Sequence, residues 1–153
     1  MNLLHAALMT FLLSMMPVGE LRISIPSGVA AGLSPLASLL ISVVGNIVPV
    51  PFIILFIRRI FRWLRNKGKI GALVQKLEAR AESKSDVVHK YGWLGLCALV
   101  AIPLPGTGAW TGALVAALMG LRMKKALPTI LLGIVIAGLI MTLVAFGFSH
   151  LLD

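Results

Sequence analysis

The stretch Gly92–Leu121, GWLGLCALVAIPLPGTGAWTGALVAALMGL, decides the fold, because it is apolar throughout yet has the wrong length for ordinary membrane helices. One crossing of a bilayer core takes about 20 apolar residues and two crossings take about 40. The cluster Pro103–Gly108 lies near its centre, and proline and glycine break helices. Basic residues flank both ends, namely Lys84, Lys90, Arg122, Lys124 and Lys125. Since such residues favour the cytoplasm, the pattern predicts a re-entrant hairpin over 92–121 that enters and leaves on that side.

The stretch 3–33 has the same design, with an interruption over 17–26. Its flanks carry no charged side chain, so we expect this hairpin to enter from the opposite side of the membrane. Two longer apolar runs, 36–57 and 126–148, are each long enough to cross a bilayer as one helix.

These segments fall into two similar halves, 1–57 and 91–153, joined by a basic segment at 58–90. Pro17 in the first half corresponds to Pro103 in the second. Because one half would start outside and the other inside, the arrangement predicts an inverted-topology repeat, a common plan among secondary transporters. The predicted fold is therefore an all-α integral membrane protein, an inverted repeat in which each half is a re-entrant helical hairpin followed by one full transmembrane helix.

Composition supports this fold class. Hydrophobic residues make up 59% of the 153 residues and charged residues only 12%, against about 25% charged in a soluble domain. Most of the net charge of +9 comes from 58–90, which also has the apolar spacing of an amphipathic helix. We predict a multi-pass protein of the cell (inner or plasma) membrane, with 58–90 cytoplasmic and both termini outside. Membrane lipids are the expected partners, and nucleic acid is not.

Catalytic and metal-binding motifs are missing from the sequence. It contains no phosphate-binding P-loop, no His-Glu-x-x-His and no Gly-x-Ser-x-Gly. A single cysteine, Cys97, offers neither a disulfide nor metal-ligand spacing. We therefore predict a protein that is not an enzyme, with no catalytic residues, no metal site and no cofactor.

Glu20 and Arg22 are the charged residues that lie inside an apolar hairpin. A charge at membrane depth costs several kcal/mol unless it is paired or faces water. The pair therefore indicates an ion or proton site in a cavity, and the alternative is a structural ion pair that holds the hairpin tip. Proton coupling through Glu20 would be favoured by desolvation and opposed by Arg22.

The second candidate site is the break in the other hairpin. Backbone polar groups at such a break must be satisfied by protein, water or ligand, and a helix from about Ala109 would point its positive N-terminus into the membrane, where an anion such as phosphate binds well. The alternative is that its glycines only permit close packing. The candidate residues of this break are Pro103, Pro105, Gly106, Thr107, Gly108, Trp110 and Thr111.

Asn46, followed by Pro49 and Pro51, interrupts the first full span; a simple kink explains this best, and the alternative is that Asn46 lines the same cavity. Broken backbone at membrane depth cannot face lipid. Since one chain offers only two full spans to surround two hairpins, we predict a homodimer or higher homo-oligomer.

Two motifs resemble the signatures of the small multidrug export protein family: PVGELRISIP at 17–26 and AIPLPGTGAWTG at 101–112. That family is similar in plan to the DedA (VTT-domain) membrane proteins, in which two re-entrant hairpins meet at mid-membrane. The resemblance implies transport of polyprenyl-phosphate lipid carriers, with an acidic residue ahead of a proline-containing turn, a pattern that Glu20, Pro26 and Gly28 match. The basic residues expected in the second hairpin are missing, since no arginine lies in 92–121. Arg22 and backbone amides would then have to bind the phosphate.

The predicted function is a small transporter or exporter of an amphipathic or anionic small molecule or lipid, a polyprenyl phosphate among the candidates, with proton coupling through Glu20. One alternative is export of lipophilic cations, with Glu20 as the counter-charge and Trp110 as a cation–π surface. Another is a non-transporting membrane scaffold, which would explain the Gly-x-x-x-Gly pairs but not the buried charges.

Overall fold

The computed structural model describes residues 2–17, 19–104 and 107–151, and every regular element in these ranges is an α-helix. The all-α prediction is confirmed for this part of the chain. The helices are α1 (Leu3–Met15), α2 (Glu20–Ala30), α3 (Pro35–Ile47), α4 (Pro49–Leu64), α5 (Lys69–Tyr91), α6 (Trp93–Ala101), α7 (Ala109–Leu118) and α8 (Met123–Leu151).

Helices α1 and α2 pack against each other and against α3. The chain reverses in a short turn between Met15 and Glu20, so the interruption expected over 17–26 is shorter than predicted. Pro26 lies inside α2, where it removes one backbone donor without ending the helix. The next helix, α3, begins in the favoured way, with the Ser34 hydroxyl accepting from the N–H of Ala37 and Pro35 in the first turn.

Helices α3 and α4 together form one candidate membrane span, Pro35–Leu64. The junction residue Val48 keeps right-handed helical torsion angles, so Pro49 occupies the first turn of α4 and does not sever the span. The helix also continues past Ile57, the end of the apolar run, because the arginines that follow are good helix formers.

The basic segment forms α5, which is bounded by two glycines in the left-handed region, Gly68 and Gly92. Its inward face carries Val74, Ala81 and Val88, spaced at heptad intervals and buried. The cationic side chains of α5 are exposed, except for the partly buried Lys84.

After α5 the chain forms two short helices, α6 and α7, followed by the long helix α8. Met123–Phe148 of α8 is the second candidate membrane span. In each span, only 28% of the most apolar stretch of 18 residues is buried against the rest of the chain. Most of each span thus presents apolar side chains outward, as helices in contact with lipid do.

The helices before α5 pack against the helices after it. α2 contacts α8 and α7 contacts α4, while α3 and α8 pack directly on each other. The shared core contains Leu21 and Ile25 from the first hairpin, and Ile130 and Ile134 from α8. This packing brings the turn before α2 and the turn before α7 to the same place.

Candidate functional site

Glu20 is the first residue of α2, and its backbone adopts φ 45°, in the left-handed region. A residue with a Cβ is strained there, by about 1–3 kcal/mol, and such strain persists only where the surroundings impose it. The side chain is 7% exposed. The short turn after Met15 therefore aims the carboxylate inward, towards the second half of the chain.

The carboxylate of Glu20 binds the N-terminus of α7. The N–H of Ala109 donates to Oε2 at 3.3 Å, and the N–H of Trp110 donates to Oε1 at 3.1 Å. These N–H groups have no partner within their own helix, and the helix dipole makes this end positive. The anion expected at this helix terminus is thus supplied by the protein itself.

Arg22 reaches the same turn. Its Nη2 donates to the carbonyl oxygen of Thr107 at 3.0 Å and to Thr107 Oγ1 at 3.1 Å. The Thr107 hydroxyl also donates within its own turn, where the carbonyl oxygens of Ile102 and Leu104 each lie 2.6 Å away. Arg22 therefore binds a turn that is already closed by local hydrogen bonds.

Glu20 and Arg22 do not pair directly with each other. Within the described residues, the salt bridge that the structure contains joins Arg65 and Glu78, at the surface. Each of the two charged side chains binds the turn before α7 and the start of α7 instead of the other charge.

Trp110 provides a third link between the two turns. Its indole Nε1 donates to the carbonyl oxygen of Met15 at 3.0 Å. This carbonyl belongs to the last residue of α1, one of the helix-end acceptors that lack an intrahelical donor. The side chain predicted as a cation–π surface is thus engaged at its polar edge in joining the hairpins.

Gly108 allows the turns to approach this closely. A Cβ built on it would lie 2.8 Å from Glu20 Cδ and 3.0 Å from Oε1. Its φ of 119° is also in the range that glycine tolerates best. Any larger residue would push the carboxylate away from the N-terminus of α7.

A cavity of about 10 Å³ lies beside the carboxylate, lined by Glu20, Arg22, Asn46, Pro103 and Gly108 together with apolar side chains of α6 and α8. That volume holds about one water molecule. Asn46 is 1% exposed, and its Oδ1 has no hydrogen-bond partner. Asn46 and Glu20 therefore line the same small cavity.

The remaining predicted residues lie near this centre or outside the described residues. Pro26 is partly buried in α2, beyond Arg22, and Thr111 is partly buried in the first turn of α7. Pro105 and Gly106 lie outside the described residues. A cavity of about 680 Å³ lies elsewhere, between α4, α5 and α7.

Several buried polar residues of the first half were not singled out from the sequence. Ser24 Oγ donates to Ser42 Oγ at 2.7 Å, and Thr10, Ser14 and Ser38 are also buried. Their spacing was an available signal, since Ser38, Ser42 and Asn46 recur at every fourth position on one face of α3. Among the described residues, no group of three His, Cys, Asp or Glu side chains is placed to hold a metal ion.

The family model described as "Putative small multi-drug export protein" matches residues 20–140. The matched region includes Glu20, Arg22, the turn before α7 and most of α8. No curated protein and no solved structure matches the chain.

Proposed function

The chain belongs to the small multi-drug export protein family, and on this premise we propose that it is a membrane transporter whose central site is the contact between Glu20 and the N-terminus of α7. The proposed substrate is amphipathic and anionic, with a phosphate or similar headgroup, and polyprenyl phosphate is a candidate. Its movement is coupled to protonation of Glu20. The chain acts without enzymatic chemistry.

The observation that carries this proposal is that one carboxylate occupies an anion site. Glu20 accepts from two backbone N–H groups of α7 while Arg22 is bound to the same turn. Protonation would remove the charge of Glu20 and weaken both hydrogen bonds, because charge-assisted bonds are the stronger ones. The site would then hold a cation and a positive helix end with no anion, a combination that favours a substrate anion.

In this mechanism the substrate anion and the carboxylate of Glu20 compete for the same donors. A proton on Glu20 admits the anion, and loss of that proton lets the carboxylate return and expel it. The cavity of about 10 Å³ is far too small for any substrate. The hairpin turns must therefore separate during transport, and the bonds of Arg22 and Trp110 across them would break and re-form.

The geometry of this mechanism is that of two re-entrant hairpins in an inverted repeat. The packing supports this arrangement, since α2 on α8 and α7 on α4 are equivalent contacts between the two halves. We propose that the protein is a multi-pass protein of the cell membrane with the basic helix α5 in the cytoplasm and both termini outside, and that it assembles as a homo-oligomer to shield the hairpins from lipid.

Export of lipophilic cations is the rival function, and the site favours it less. A cation drawn to Glu20 would have to displace two N–H donors in the presence of Arg22, which repels it. A scaffold without transport would account for tight packing. It gives no reason to place Glu20, with its strained backbone and buried carboxylate, where the two halves meet.

The test is ligand-induced stabilisation of the purified protein in detergent, because a ligand that binds only the folded state raises apparent stability. The two probes are polyprenyl phosphate and tetraphenylphosphonium. Each would be tested at about pH 5.5 and about pH 8, on the two sides of neutrality, with the wild type and with Glu20→Gln. We expect polyprenyl phosphate to stabilise the wild type more at the lower pH, and Glu20→Gln to bind it at both pH values.

Arg22→Gln is the matched variant for the anion, and we expect it to abolish the stabilisation. Glu82→Gln, on the exposed side of α5, controls for loss of an acidic side chain elsewhere. Stabilisation by tetraphenylphosphonium that is lost in Glu20→Gln would establish the cation exporter instead. A response to neither probe would favour the scaffold.

A further inference from the structure

Buried polar side chains are distributed unequally between the two halves. On α1, α2 and α3 the buried polar residues are Thr10, Ser14, Glu20, Ser24, Ser38, Ser42 and Asn46. Among the described residues of α6, α7 and α8, every buried side chain is apolar. Close packing of helices does not require this difference, since alanine and glycine serve that purpose in the second half.

Several contacts bring polar side chains of the first half close to one another. Ser38, Ser42 and Asn46 lie on one face of α3 and span roughly 12 Å at 1.5 Å per residue. Ser24 of α2 donates to Ser42 at 2.7 Å. A Cβ on Gly28 would lie 2.6 Å from Ser38 Oγ and 2.8 Å from Thr10 Oγ1, so these two hydroxyls flank the same glycine. At the other end, Asn46 shares its cavity with Glu20.

Two atoms along this path have no hydrogen-bond partner, Ser38 Oγ and Asn46 Oδ1, although both residues are almost fully buried. Buried polar atoms are normally satisfied by protein or by ordered water. The cavity that Asn46 shares with Glu20 has the volume of about one water molecule. Such a water could donate one hydrogen to Asn46 Oδ1 and the other to the carboxylate of Glu20.

We propose that Ser38, Ser42 with Ser24, and Asn46 form a narrow water-bearing path through which Glu20 exchanges its proton with the side of the membrane where α3 begins. This deepens the proposed function and rests on it, since it assumes that Glu20 is the proton-exchanging group. The apolar interior of the second half closes the opposite side. In this conformation Glu20 therefore exchanges its proton with one side only, and coupled transport requires that the proton leave to the other side once the hairpin turns have separated.

The transfer along the path conserves every proton. An incoming proton binds to a hydroxyl or water oxygen, which releases one of its own to the next oxygen, and the last water passes a proton to a carboxylate oxygen of Glu20. Among the described residues, Arg22 is the other charged side chain that lines the cavity of Glu20. The side chains that α6 and α8 contribute there, Val100, Ile134, Ala137 and Met141, do not titrate.

The test measures water access with cysteine substitutions in a Cys97→Ala background. Ser38→Cys and Ser42→Cys report on the path, and Ala113→Cys and Ala116→Cys are controls, since all four positions are 0% exposed. Sealed vesicles of both orientations receive a pulse of Ag⁺, an ion about as small as a water molecule. Thiols that did not react are then labelled with a fluorescent maleimide after denaturation, since thiols react as thiolates in contact with water.

We expect Ag⁺ to block both serine-derived thiols at least tenfold faster than the control thiols, and only from the side on which α3 begins. Equal rates at all four positions, or equal rates from both sides, would overturn the proposal. Exchange of serine for cysteine changes little in volume, and gel filtration identifies any variant that does not fold.

A second measurement links the path to Glu20. The exchange of its carboxyl proton for deuterium is followed by infrared spectroscopy, with the band assigned by its loss in Glu20→Gln. Asn46→Leu and Ser42→Ala should slow this exchange at least fivefold, and Ser83→Ala, an exposed serine on α5, should not. Unchanged exchange in Asn46→Leu would contradict the path. Neither measurement uses a transported substrate, so their outcome is independent of whether polyprenyl phosphate binds.

Discussion

Glu20 Oε2 accepts the backbone N–H of Ala109 at 3.3 Å, a contact between residues 89 positions apart in the chain. It joins the start of α2 to the start of α7 and so places one carboxylate at the N-terminal ends of two helices, one in each half. A single proton on this group would therefore change the electrostatic balance at both hairpin turns. The following predictions test the contacts that assemble this site.

Glu20→Leu should lower the free energy of unfolding by about 3 kcal/mol, because it leaves two buried N–H groups without an acceptor. Glu20→Gln should cost less, about 1–2 kcal/mol, since its amide oxygen still accepts one of them. Thermal unfolding in detergent measures both changes, with Glu82→Gln as the exposed control. If Glu20→Leu and Glu20→Gln lowered the free energy of unfolding equally, the hydrogen bonds from Glu20 to the N-terminus of α7 would not be what stabilises the protein.

Gly108→Ala should be more destabilising than Gly32→Ala by about 2 kcal/mol or more. Both glycines have positive φ, but nothing lies within 4 Å of a Cβ on Gly32, while a Cβ on Gly108 would collide with the carboxylate of Glu20. The comparison separates the steric contact from the backbone strain that both variants share. If the double variant Gly108→Ala with Glu20→Ala recovered no stability relative to Gly108→Ala, the collision would not be the cause.

Arg22→Gln and Thr107→Val should be non-additive, with a coupling energy of about 1 kcal/mol, because each removes the hydrogen bond between Arg22 Nη2 and Thr107 Oγ1. The bond to the Thr107 carbonyl keeps the coupling below the full contribution of Arg22. The unfolding free energies of the two single variants and the double variant provide the measurement. As a control, Arg22→Gln should be additive with Thr142→Val, whose hydroxyl bonds the carbonyl of Gly138 within α8.

Trp110→Phe should lower the free energy of unfolding by about 1 kcal/mol, since it removes the indole donor to the Met15 carbonyl and keeps an aromatic ring. Trp93→Phe, at the more exposed start of α6, should change stability by less than about 0.5 kcal/mol. Thermal unfolding of the two variants under identical conditions gives the comparison. A loss at Trp93 equal to that at Trp110 would show that ring size, and not the hydrogen bond, is responsible.

Much of the fold follows from local patterns in the sequence. The two spans, the amphipathic basic helix and the start of α7 at Ala109 depend on apolar run length, charge placement and helix breakers, all of which act over a few neighbouring residues. The break in the first hairpin was predicted too long, because a proline such as Pro26 can lie within a helix when its surroundings tolerate the missing donor. A sequence pattern does not reveal that tolerance.

The sequence by itself determined that Glu20, Arg22 and the Pro103–Gly108 break must each be satisfied inside an apolar environment, because an unpaired charge or bare backbone group is costly there. Only the tertiary structure decided that they satisfy one another. Their pairing depends on how α2 packs on α8 and α7 on α4, and a contact across 89 positions leaves no trace in the local pattern of either segment. The path of Ser24, Ser38 and Ser42 has the same origin, since their spacing sets a face for each helix and packing alone decides which faces meet.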